Sequence, residues 1–398
     1  MNTNSSRKTE KNRLKAMIFA LAIVCAAVTA LSGCKTYRDS AVSAGEITSA
    51  ESSGSVQATE EAGWTELGNP LEIRTSASSF ARFPQDLIVF DGALHICYGE
   101  WDNNVGPVAM LRYDFSQERW INGGVLPEES IEKFYVIDGV LTCTGMDATG
   151  DWSYGNYYTF SESDWISHKV IPGGVHVFDV ARCQDGLIFG IGTNANKDCA
   201  VFIGDDGTAK TLSFVYSDGN TPDYSSFGTF ENYRCFCVFS LGGEVYALRN
   251  RDVYRYDGEK FVVFTHWTGL TYIDPFGART TNNTKNKAYF GNSVYFAFGA
   301  LYKAYGDAKI EYLPLPYEAS VTDVYVDRDR LYVLAAKEEG EGYVSTVLEY
   351  ADGEFIKIAE YTGKAPAISL AADGNDLYIG LGRKNCSDSG LILKYGVE

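Results

Sequence analysis

The sequence predicts an all-β chain built from repeated antiparallel sheets, and three observations predict it. First, one phrase recurs seven times: a tight turn, then a strand of apolar and aromatic residues, often closed by glycine. Its clearest copies are Asp91-Gly-Ala-Leu-His-Ile-Cys-Tyr-Gly99, Asp138-Gly-Val-Leu-Thr-Cys-Thr-Gly145 and Asp185-Gly-Leu-Ile-Phe-Gly-Ile-Gly192. Weaker copies begin at Gly242, Gly291, Arg328 and Gly374. Second, 14% of the residues are aromatic, with 27 Tyr and 22 Phe, and such side chains suit a pleated, half-buried surface. Third, the apolar anchors Leu94, Leu141, Leu187, Val245, Val294, Leu331 and Leu377 lie 47, 46, 58, 49, 37 and 46 residues apart. A four-stranded blade needs about 40–50 residues, so the expected fold is a β-propeller of seven blades.

The first full repeat sets the plan. Gln85 to Phe90 is the inner strand, and Asp91-Gly92 is a hairpin turn of the kind that needs positive φ. Ala93 to Tyr98 is the second strand, and Val108 to Tyr113 the third. Asp114 to Gln117 turns into an outer strand beginning at Arg119-Trp120. The next repeat runs in the same order from Ile131 to Trp165. The long interval holds a Ser/Asn/Gly/Asp-rich insertion, Tyr216 to Tyr233, and the short one suggests a trimmed blade. The last repeat ends near Tyr395 after three strands. Trp64 to Leu67 is expected to supply its missing outer strand and so close the array.

The N-terminus reads as an address. Arg7, Lys8, Lys11, Arg13 and Lys15 form a basic head, and Ala16 to Ala30 an apolar run too short to span a bilayer comfortably. Leu31-Ser-Gly-Cys34 follows and resembles the lipobox of bacterial lipoproteins. That resemblance implies cleavage before Cys34 and a diacylglycerol on its thiol. Residues 1–33 are then a signal peptide, and 34–63 a lipidated cysteine with a Ser/Ala/Glu-rich tether. Residues 64–398 are the propeller. Two or more acyl chains anchor stably where one is marginal. The tether has a reach on the order of 30 Å. The implied location is the bacterial cell envelope, outside the cytoplasm.

Removing residues 1–33 takes away five basic residues and one acid, so the net charge of −18 becomes −22. Such a chain is repelled by nucleic acid and anionic headgroups, which leaves the lipid as its membrane contact. Of nine cysteines, seven remain beyond Cys34, an odd number; Cys97 and Cys143 occupy equivalent places and read as buried free thiols. Cys235-Phe-Cys237 has one intervening residue where zinc pairs favour two to four, so no metal site is assigned.

The strand–turn–strand plan, with Tyr113-Asp114 and Trp120 echoed by Tyr157 and Trp165, is similar to kelch-type propellers. That family includes binding modules and oxidases, so the resemblance implies architecture only. No phosphate-binding glycine loop, nucleophile elbow or zinc-protease histidine pair occurs. His176, in Gly173-Gly-Val-His-Val-Phe-Asp179, is expected near the axial mouth. Asp147 and Asp151 are candidate calcium ligands with backbone oxygens; no other cofactor is identified. Loops between second and third strands gather Trp101, Asp102, Asn103, Asn104, Asp147, Asp151, Trp152, Tyr154 and Asn156. Flat rings beside amides and carboxylates suit a protein anchor or a sugar. The expected function is therefore a binding protein for an envelope protein or a surface glycan. The alternative is a carbohydrate-active hydrolase or lyase with its site at the axial mouth near His176.

Overall fold

The structure, a computed structural model, describes residues 63–71, 82–99, 106–182, 188–194, 199–204, 214–215, 235–249, 251–268, 270 and 286–396. Among them there is no α-helix. The fold is all-β and propeller-like, made mostly of four-stranded antiparallel meanders.

β1 (Trp64–Gly68) comes first and is used last. β2 (Asp86–Phe90), β3 (Ala93–Cys97), β4 (Val108–Asp114) and β5 (Arg119–Leu126) form the first meander. β6 (Glu128–Ile137), β7 (Val140–Ala148), β8 (Tyr154–Ser161) and β9 (Asp164–Pro172) form the second. β10 (Gly174–Arg182), β11 (Ile188–Asn194) and β12 (Cys199–Ile203) join it through one bridge, His176 to Met146. β13 (Phe214–Val215) lies parallel on the outer edge of the meander β14 (Cys237–Leu241), β15 (Glu244–Arg249), β16 (Asp252–Tyr256) and β17 (Phe261–His266). β18 (Lys287–Phe290), β19 (Ser293–Ala297), β20 (Leu301–Tyr305) and β21 (Lys309–Leu313) follow. β22 (Ser320–Asp327), β23 (Arg330–Glu339), β24 (Gly342–Ala351) and β25 (Glu354–Gly363) come next. β26 (Ala367–Asp373), β27 (Asp376–Leu381) and β28 (Ile392–Gly396) complete the chain.

The hairpins form where the sequence placed them because their turn residues tolerate positive φ. Asp91 and Gly92 sit at +48° and +72°, and Asp138 and Gly139 at +56° and +77°. Two central residues with φ above zero give the turn whose twist matches the flanking strands. The turn at Asp185-Gly186 lies outside the described residues. The short repeat is not missing a strand: β18 to β21 are all present, at four or five residues each.

β1 takes the outer position beside β28, pairing Trp64 with Tyr395 and Thr65 with Lys394. Trp64 Nε1 donates to the Glu360 carbonyl at 2.7 Å, and its ring meets Tyr361 and Tyr395. Apolar clusters are shared between neighbouring sheets. One contains Leu94 and Ile96 of β3, Leu141 and Cys143 of β7, and Ala371 and Tyr378 from β26 and β27. Thus the first meander packs on both the second and the last. Fully burying a Leu or Ile side chain contributes roughly 1.5–3 kcal/mol, so these seams hold the sheets together. Cys97, Cys143, Cys235 and Cys237 are buried in this packing, and Cys199 and Cys386 are partly buried. Cys183 lies outside the described residues.

Candidate functional site

Two places can do chemistry or recognition, and they lie at opposite ends of the inner strands. β6 has ten residues, roughly 30 Å of strand. Its Glu128 end faces the β7–β8 hairpin, whose tip carries Trp152. Its Ile137 end enters the Asp138-Gly139 turn.

The β7–β8 hairpin holds most of the described candidates. Trp152 is 58% exposed, yet its Nε1 donates to the Ala148 carbonyl at 2.6 Å. A local bond therefore fixes a ring that stands in solvent. Asp151 accepts from the Ser153 N–H at 2.9 Å and from the Ser153 hydroxyl, which hold its carboxyl below the ordinary range. Tyr154 lies beneath Lys169, with Nζ 5.8 Å from the ring centre. Asp147 has a φ of +58° and meets His176 Nδ1 at 3.4 Å. Asp147 and Asp151 thus engage different partners, Asp147 with the start of β10 and Asp151 with its own turn. Trp101, Asp102, Asn103, Asn104 and the lipidation candidate Cys34 lie outside the described residues.

Asn156 turns inward, not outward. Its Nδ2 donates to Glu128 Oε1 at 3.1 Å, and the Tyr158 hydroxyl donates to the same oxygen at 2.6 Å. Glu128 is 1% exposed. Burial pushes its carboxyl up to about 7; the Tyr158 and Asn156 bonds oppose this, and Asp147 reinforces it. Glu128 was not legible as a site, because Pro127-Glu-Glu-Ser130 reads as a polar connector.

The second place is a cavity of about 480 Å³ lined by β2, β6, β10, β14, β18 and β22. Its lining includes Val136, Ala181, Tyr289 and Tyr325, and also Asp86 and Lys287, the first residues of β2 and β18. His176 is not among them. It is 6% exposed, near the other end of β10, and stacks on Phe178 at 5.1 Å. His176 stands at the start of the inner strand β10, and the cavity opens at the other, turn end of that strand.

A buried charge layer floors the cavity. Lys133 Nζ lies 2.7 Å from Asp86 Oδ1. Lys287 Nζ reaches both Asp179 oxygens at 2.5 Å, spanning from β18 to β10 past β14. Asp179 also accepts from the Tyr135 hydroxyl at 2.5 Å and the Val238 N–H at 2.7 Å. Burial pushes the Asp179 carboxyl up, while Lys287, Tyr135 and the Val238 N–H pull it down. Burial, the largest influence, lowers Lys287, but Asp179, Cys237 and Tyr289 together raise it above its ordinary value.

Asp86, Asp179 and Asp323 share one further job. Each carboxylate accepts a backbone N–H from the following inner strand: Phe134 at 2.9 Å, Val238 at 2.7 Å and Leu370 at 2.9 Å. In the sequence Asp86 and Asp323 stand five residues before Asp91 and Arg328, whereas Asp179 stands six before Asp185. Net hydrogen bonds to charged groups contribute about 1.5–3 kcal/mol each, so these clasps fix one inner strand to the next.

No family model and no curated protein matches the chain. Solved structures do resemble it. One is PorZ of Porphyromonas gingivalis, described as an essential bacterial surface component of the type-IX secretion system, with 14% identity and a TM-score of 0.45. The match covers 79% of this chain and 46% of PorZ, so the chain spans under half the length of that protein. Another is Sqt1 of Saccharomyces cerevisiae, with 10% identity, a TM-score of 0.41, and coverage of 80% of this chain and 97% of Sqt1.

Proposed function

We propose that this chain is a lipid-anchored propeller of the bacterial cell envelope that binds an envelope protein through the face carrying Trp152. In this reading Cys34 bears the lipid and the tether lifts a closed, seven-bladed, kelch-like body off the membrane. Seven inner strands support the count: β2, β6, β10, β14, β18, β22 and β26. The pairing of β1 with β28, and the packing of the last sheet on the first, support closure.

One observation carries the binding reading: Trp152 is an exposed ring on a hairpin tip held by its own indole bond. An aromatic anchor that loses little freedom on docking is the kind of residue that dominates interface energy. The alternative, a carbohydrate-active enzyme, draws on Glu128 beside Asp147 and His176. A carboxyl near 7 could serve as a general acid. Against it, Glu128 is 1% exposed, so its proton is not presented to a polysaccharide.

The test is mild crosslinking and co-purification of the native lipoprotein, compared with Trp152→Ala. A protein partner enriched with the native chain and lost from the variant is the expected result. An unchanged partner list, or none in either sample, rejects the Trp152 face as a protein-docking site. A polysaccharide panel distinguishes the alternative: cleavage abolished by His176→Ala or Glu128→Gln would replace binding with catalysis.

A further inference from the structure

The cavity at the turn end is a separate feature from the Trp152 face and does not depend on it. It grades from open to closed. Val136 and Tyr289, at its mouth, are 49% and 44% exposed. Asp86, Lys133 and Lys287, at its floor, are 2%, 7% and 7% exposed. A blind, graded recess of about 480 Å³ falls within the size range of small-molecule sites. It has room for about 16 water-sized volumes, which suits one or two sugar rings and not a polymer.

The floor decides which charge such an occupant carries. Lys133 is paired with Asp86, and Lys287 with Asp179. At the rim Arg182 is paired with Asp138. The recess is lined by three cations, Lys133, Arg182 and Lys287, and two carboxylates, Asp86 and Asp138, and the fully buried Asp179 behind the lining neutralises Lys287. A charged ligand would have to compete with a buried pair, and removing one partner of such a pair is strongly unfavourable. A wholly apolar ligand would strip water from the Lys133–Asp86 pair and return no hydrogen bonds.

The walls supply the remaining requirement. Val136, Tyr289 and Tyr325 present apolar and aromatic surface above the polar floor. The Tyr289 phenol oxygen accepts from the Ser240 N–H at 3.3 Å, which leaves its own O–H to donate. An uncharged molecule with flat C–H faces and hydroxyls around its edge satisfies walls and floor together.

We propose that the recess between the inner strands, at the turn end, is a binding site for a neutral mono- or disaccharide. Its ring faces lie against Tyr289 and Tyr325, and its hydroxyls meet the Lys133–Asp86 pair. The site sits at the end opposite Trp152, so the two can be occupied at once.

The test is isothermal titration of the full-length lipoprotein, held in a sugar-free detergent, with glucose, galactose, N-acetylglucosamine, maltose, lactose and cellobiose. Glucuronate and glucosamine are the charged comparators. At least one neutral sugar is expected to bind, at least tenfold more tightly than either charged one. Val136→Trp, which fills the mouth from an exposed strand position, is expected to abolish binding without lowering the melting temperature. Tyr289→Leu is expected to weaken it at least tenfold, and Ile356→Ala on the distant outer strand β25 to leave it unchanged. Binding of no neutral sugar overturns the proposal. So does equal binding of the charged comparators, or undiminished binding in a folded Val136→Trp protein.

Discussion

Glu128→Gln tests how the buried end of β6 is held. The substitution keeps an oxygen for Tyr158 and Asn156 and removes only the titrating proton. In the native protein the Glu128 carboxyl sits at about 7, against an ordinary value of 4.5, chiefly because it is buried. The folded state therefore holds a proton that the unfolded chain releases between those two values. Stability falls with rising pH wherever the folded state binds more protons. The penalty is absent well below 4.5, grows through the window up to 7, and is complete above it. Between pH 5 and pH 8 this amounts to roughly 2–3 kcal/mol, at 1.36 kcal/mol per pH unit. The wild-type profile alone would conceal it, because His95 acts in the opposite sense. Burial, then Arg112, lowers His95 to about 4 from 6.5, with a bond to the Phe90 backbone opposing. That group removes stability as pH falls, about 2 kcal/mol by pH 5. The assay is therefore a difference: urea denaturation of wild type and Glu128→Gln at pH 5, 6, 7 and 8. The variant is expected to gain on the wild type by roughly 2–3 kcal/mol across that range. Parallel profiles would show that Glu128 is ionised in the fold throughout, and would refute the reasoning.

Three further outcomes follow from the same structure. His95→Phe keeps an aromatic ring among Phe90, Phe134 and Phe160, and should lose less stability than the wild type between pH 6.5 and 4; equal acid lability, read by thermal melting at each pH, contradicts this. Lys287→Met strands the fully buried Asp179 and is expected to cost about 3–5 kcal/mol in urea denaturation. The double variant Asp179→Asn/Lys287→Met should recover part of that loss, whereas additive losses would show that the pair is not coupled. Trp64→Ala removes a ring packed on Tyr361 and Tyr395 together with the bond to Glu360. It should cost about 2–4 kcal/mol by the same assay, and an unchanged midpoint would mean that β1 contributes little to the last sheet.

The parts of the fold that depend on local chemistry were legible. Asp-Gly at the hairpins declares positive φ, and alternation of apolar and aromatic residues declares strands with one buried face. Trp64 to Leu67 was recognisable as an outer strand because the last repeat lacked one. Long-range chemistry was not legible in the same way. Asp179 and Lys287 are 108 residues apart, and nothing local to either announces the other. His176 stands at the start of the inner strand β10, away from the cavity. Its carboxylate partner, Asp147, comes from β7 because the single bridge to Met146 sets the two strands side by side. Asn156 looked like a loop amide and is instead a buried donor to Glu128. Trp152 is exposed as its loop position suggested.

The central claim, that the Trp152 face docks a protein, is tested most directly by placing a photo-crosslinking amino acid at position 152 in cells. The same probe at Val140, exposed beside the Asp138-Gly139 turn, marks the opposite end of the fold. A defined protein adduct is expected from position 152 and none from position 140. An adduct from 140 alone, or from neither position, would contradict it.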